Sequence, residues 1–169
     1  MLISPAIPTV TEVTSAFGKT VVDRVDIRKQ TMSSATTNSI QKFASITVLV
    51  PSYDEGIAYF VDTLSFRLTS DVAMGGTKRW VVVHPPNSDG PGLVLAVPSN
   101  DRQKAALGNQ TGGRVCLFLH SNNFWEDYHK MKSKGVEFTE EPRKEVYGDV
   151  VVFRDPWGNL YDFMGPGKE

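Results

Sequence analysis

A chain of 169 residues, 40% hydrophobic and 22% charged, is the length of one ordinary domain and can bury a real core. A formal net charge of -1, with scattered Lys and Arg, supplies no field for a phosphate backbone and excludes nucleic acid as the expected partner. The single cysteine cannot close an internal disulfide, and no apolar run approaches the roughly 20 residues that cross a bilayer, so a soluble protein of a reducing, cytoplasmic compartment is expected.

Residues 1–42 mix Ser, Thr and Val without a sustained period, with Pro5 and Pro8 near the start, and predict a disordered extension. Glu12, Asp23 and Asp26 argue against an organelle transit peptide, and the apolar start lacks a continuous signal-peptide core. Met32 opens a Ser/Thr-rich piece and offers an alternative start for a shorter product.

Residues 45–50 alternate Ser45, Thr47 and Leu49 with Ile46, Val48 and Val50, the period-2 pattern of a strand whose branched face packs on a helix. Asp54 and Glu55 suit the first turn of that helix, Ile57, Tyr59, Phe60 and Leu64 supply its apolar positions, and Gly56 is a local weakness in it. Strands follow at residues 67–71 and 78–83, separated by Gly75-Gly76, and a loop from Pro85 to Gly92 leads to an apolar strand at residues 93–97. Residues 101–113 read as a linker with a short helical turn at Lys104-Ala105-Ala106-Leu107.

The same order then returns about 70 residues on. Arg114, Cys116, Phe118 and His120 alternate with Val115, Leu117 and Leu119, and a helix over residues 124–134 is closed by Gly135. A valine strand at residues 150–153, a tight turn at Asp155-Pro156-Trp157-Gly158-Asn159 and a last strand at residues 160–164 complete it. The fold class is therefore α+β, with two tandem β-α-β-β-β modules at about residues 43–100 and 114–166, and a small-molecule cavity expected between the paired sheets.

Two stretches carry a family resemblance: Tyr53-Asp54-Glu55-Gly56-Ile57-Ala58-Tyr59-Phe60 with Leu64-Ser65-Phe66, and Phe153-Arg154-Asp155-Pro156-Trp157-Gly158-Asn159-Leu160-Tyr161-Asp162. Together, and repeated internally, they resemble the vicinal oxygen chelate superfamily of glyoxalases, bleomycin-resistance-type binding proteins and extradiol dioxygenases. The resemblance spans residues 43–166. It implies a glyoxalase-like paired-sheet cavity and, in members acting on metal-bound substrates, one His, Gln or Glu ligand on the first and last strand of each half. Carried over residue by residue, those positions fall on Ser45, Leu95, Cys116 and Asp162. Only Asp162 matches in type, and Cys116 is the one other candidate ligand, so the metal site reads as degenerate and no cofactor is expected.

Asp162 is the candidate catalytic group, as a carboxylate that either pairs with a cation such as Arg114 or Arg79 or serves in proton transfer. Ser45, Thr47, Leu95, Cys116, Phe118, His120 and Tyr147 are expected to line the cavity, with Tyr147 at its mouth. His120 follows Cys116 by four residues, about 13 Å along a strand, too far for a direct Cys-His couple. The expected function is binding of a small molecule, possible also as a homodimer and without a membrane partner. The alternative that the resemblance implies is a metal-dependent lyase or isomerase of the lactoylglutathione lyase type.

Overall fold

The computed structural model describes residues 40–167, so the expected extension over 1–42 and the alternative start at Met32 lie almost wholly outside the described residues. The chain divides into units of Met1–Ile40 and Gln41–Glu169, and the fold is that of the second. Among the described residues no helix is long and apolar enough to cross a membrane.

The first module runs β1 (Ser45–Leu49), α1 (Tyr53–Ile57) continuing as a π-helical turn (Ala58–Thr63), β2 (Arg67–Ala73), β3 (Arg79–His84) and β4 (Gly92–Ala96). A linker helix α2 (Asp101–Ala106) follows. The second module runs β5 (Val115–His120), α3 (Phe124–Ser133), β6 (Glu137–Phe138), β7 (Arg143–Glu145), β8 (Gly148–Arg154) and β9 (Leu160–Met164). The sheets have the orders β1-β4-β3-β2 and β5-β9-β8-β6, with β7 pairing β8. In each the first strand is parallel to the last, and the remaining pairs are antiparallel. The expected doubling is present, and β7 is an addition that its charged sequence Arg143-Lys144-Glu145 did not announce.

Ser52 starts α1: its hydroxyl accepts from the Glu55 backbone N–H at 3.2 Å, satisfying one orphan donor of the first turn, and donates to Glu55 Oε1 at 2.8 Å. Gly56 corrects the expectation of a weak point. It is buried, and a Cβ there would stand 3.0 Å from both Leu95 Cδ1 and Val50 Cγ1, so the absent side chain is what lets the helix lie on the sheet. The wider π turn then delivers both Tyr59 and Phe60 inward, 8% and 0% exposed.

Phe60 and Tyr59 meet the second module through Trp157, with ring centroids 6.3 and 5.6 Å away. Trp157 is held by the turn built on Asp155, a carboxylate only 1% exposed. Asp155 Oδ1 accepts from the backbone N–H groups of Trp157, Gly158 and Asn159, and Oδ2 from Asn159 Nδ2 and the Tyr161 hydroxyl. Gln110 adds a second clasp. Its backbone N–H reaches Asn159 Oδ1, while its side chain caps the edge of β1, accepting from Leu49 N–H and donating to the Thr47 carbonyl. One core cluster therefore runs through both modules, from Val48, Leu95 and Phe60 to Phe153, Tyr161 and Phe163.

Candidate functional site

Each sheet has a face on the helices and an open face, and strand register decides which residues the open face displays. In the first sheet Val48, Leu95 and Val81 pair across the helix face, while Thr47, Val94, Val82 and Ser70 form the open row. The second sheet places Leu119, Phe163 and Val151 on the helices and Phe118, Asp162 and Val152 in the open row. Leu95 is thus not a cavity residue: it is 1% exposed beneath α1, and Val94 holds the place expected for it. A count displaced by one residue puts every side chain of a strand on the wrong face.

Cys116 is displaced for a different reason. Val115 pairs Leu160 but Leu117 pairs Tyr161, so Cys116 is the extra residue of a bulge and the expected alternation from Arg114 breaks there. The thiol is pushed up by burial and, secondarily, by the Asp155 charge, and Tyr161 feels the cysteine in turn. A thiol raised in this way is the opposite of a ready nucleophile or metal ligand. Ser45 pairs Gly92 in the other sheet. His120 is exposed and opposite Met164, and with Phe118 it lines the larger of the two depressions described next. Tyr147, 53% exposed, caps the β7–β8 turn beside the Gly167 backbone and lines neither of the depressions described next.

A cleft of about 850 Å³ lies on the helix side between Phe60, Leu64 and Phe66 of the first module and Leu117, Leu119 and Met131 of the second. A smaller depression of about 460 Å³ lies on the open face of the second sheet, lined by Arg114, Val115, Phe118, Thr139, Val152 and Asp162 among others. Phe118 is 68% exposed there. Asp162 Oδ1 is buried and has no hydrogen-bond partner, a condition shared among the described residues only by the Tyr59 hydroxyl. Burial pushes the Asp162 carboxyl up, and the Arg143 guanidinium pulls it partly back. Arg143 itself is held by Glu140 and Glu145, and the Thr139 hydroxyl donates to the Val152 carbonyl at 3.3 Å.

A folded state that binds the Asp162 proton more tightly than the unfolded chain gains stability below the ordinary carboxylate range and loses it as pH rises through the raised value. Asp162→Asn is therefore expected to melt at or above the wild-type temperature at neutral pH, with the two curves converging in acid. A variant that melts lower at neutral pH would show that an ionised Asp162 stabilises the fold.

The structure brings Phe118 and Asp162 together, leaves Ser45 and Thr47 on the other sheet, and turns Leu95 and Cys116 away. The residues sequence reasoning missed are Val94, on a strand apolar on both faces, and Thr139 and Arg143, for which no local signal exists. Among the described residues no three of His, Cys, Asp and Glu come together as a metal-holding group. The corrected open row, Thr47 and Val94 beside Phe118 and Asp162, offers one carboxylate and no imidazole, so these residues do not fit a divalent ion.

Comparison with known proteins shows the same fold elsewhere. A Shewanella frigidimarina (strain NCIMB 400) protein is 44% identical over 125 residues, covering 73% of this chain and 93% of its own. The crystal structure of UcmS2 superposes with a TM-score of 0.65 at 25% identity, covering 75% of this chain and 98% of that one. TnmS3, an antibiotic binding protein from Streptomyces sp. CB03234, superposes with a TM-score of 0.61 at 24% identity, covering 76% and 98%. The family described as the Glyoxalase/Bleomycin resistance protein/Dioxygenase superfamily matches residues 42–163, and with both modules, the parallel first and last strands and the Asp155 turn in place, the chain belongs to that superfamily.

Proposed function

We propose that the protein binds a small, partly apolar molecule on the open face of its second sheet and does so without a resident metal. The observation that carries this reading is Asp162 Oδ1, a buried carboxylate oxygen with no protein donor, set in a depression beside the exposed ring of Phe118. Natural folds rarely leave such an atom unpaired, because an unmet buried acceptor costs about 1–3 kcal/mol, so a partner from outside the chain is the economical account. The larger cleft contains no such atom. TnmS3 supports the reading only in showing that this fold can serve as a binding protein.

The donor set also favours binding over the lyase reading. A divalent ion that polarises a substrate oxygen needs several convergent N or O donors, whereas Asp162 stands among Phe118, Val152, Val115 and Leu160. Purified protein is expected to carry metal far below one ion per chain and to give no hemithioacetal turnover with added Zn, Ni, Mn or Fe(II). It is expected to bind naphthylmethanol in calorimetry, and Phe118→Ala to weaken that binding about tenfold through loss of ring contact. Stoichiometric metal with turnover would replace this proposal by the lyase reading.

A further inference from the structure

The open-face site has a chemical polarity that narrows its ligand. Asp155 shows what this chain does with a carboxylate it satisfies internally: both oxygens are occupied, by three backbone and two side-chain donors. Asp162, on the next strand, is treated in the opposite way. Phe118, Val115, Val152 and Leu160 give it apolar walls, the Thr139 hydroxyl in the same depression donates to the Val152 carbonyl, and Oδ1 is left buried and unpaired. Arg143 acts on it only through space and is already held by Glu140 and Glu145, and Arg114 lines the depression without a hydrogen bond to Asp162. With two glutamates on Arg143, the charges around the depression leave one negative charge to be met.

We infer that the ligand of this site is an amine: a protonated alkylammonium group donating to Asp162 Oδ1, attached to an aromatic or apolar body that lies on Phe118. The inference rests on the reading that the open face holds a small molecule, and it adds the sign of the ligand's charge. An ammonium–carboxylate hydrogen bond in such surroundings is stronger than a neutral one, whereas a ligand carboxylate would face Asp162 with like charge.

Three probes with one ring system separate the possibilities: naphthylmethylamine, naphthylmethanol and naphthoate, titrated calorimetrically into the full chain, Asp162→Asn and Phe118→Ala. The amine should bind the wild type about tenfold or more tighter than naphthoate, with the alcohol between. Asp162→Asn should collapse that preference while still binding the alcohol, and Phe118→Ala should weaken all three while keeping their order. Equal binding of amine and acid by the wild type, or an amine preference that survives Asp162→Asn, overturns the inference and leaves the open-face reading standing. Binding of none of the three overturns both. An Asp162→Asn protein that changes from dimer to monomer in sedimentation, with no change in probe preference, also overturns it, because a second copy then supplies the missing donor.

Discussion

Asp155→Ala is expected to lose about 3–5 kcal/mol of folding stability, the range in which breaking a buried, hydrogen-bonded charge falls. Chemical denaturation followed by tryptophan fluorescence measures it. The loss arises from what is left behind: three backbone N–H groups at Trp157, Gly158 and Asn159, the Asn159 amide and the Tyr161 hydroxyl all lose their acceptor inside the protein. Burial, with Asp155 second, raises the Tyr161 hydroxyl well above the usual range, so it cannot relieve the site by ionising. Asp155→Asn separates the two halves of the network. Its remaining oxygen can still serve the backbone donors, but its amide would face two donors, and a loss of about 1–3 kcal/mol is expected. A loss from Asp155→Ala below about 1 kcal/mol would show that the turn forms without its carboxylate.

That turn explains why the fold was legible. Asp155-Pro156-Trp157-Gly158-Asn159 announces a turn, and the structure adds the reason its composition is so specific: Asp serves the turn's N–H groups, Gly158 adopts φ 120°, and Trp157 is carried onto Tyr59 and Phe60. Period-2 alternation placed Ser45, Thr47 and Val48 on their correct faces because β1 is regular. The same method failed where geometry breaks the count. A bulge at Cys116 leaves no mark in a run of apolar residues, and in Leu93-Val94-Leu95 both faces of the strand are equally apolar, so parity alone could not tell Val94 from Leu95. Gly56 misled differently: helix propensity treats it as a cost, while the distance to Leu95 and Val50 makes it a requirement. The proposed binding residue, Asp162, was visible by type and position. Its unpaired oxygen was not, since that depends on Thr139, just past β6, and Arg143 on β7, both remote from it in sequence.

Gly108→Ala is expected to loosen the join between the modules, with a loss of about 2–4 kcal/mol. Two independent penalties combine. Gly108 adopts φ 72°, where an L side chain is strained by about 1 kcal/mol or more, and a Cβ there would stand 1.7 Å from the Trp157 carbonyl oxygen. Backbone of the Asp155 turn cannot withdraw from that clash without dragging Trp157 off Tyr59 and Phe60 or pulling Asn159 from Gln110. Gly112→Ala isolates the first penalty, because Gly112 has φ 66° but nothing within 4 Å of its Cβ position. It should lose only about 1 kcal/mol. Trp157 fluorescence and chemical denaturation on the pair distinguish strain from contact. If both variants lose the same amount, the linker is free to move away from the turn, and the clasp made by Gln110 between the β1 edge and Asn159 does not fix one module against the other.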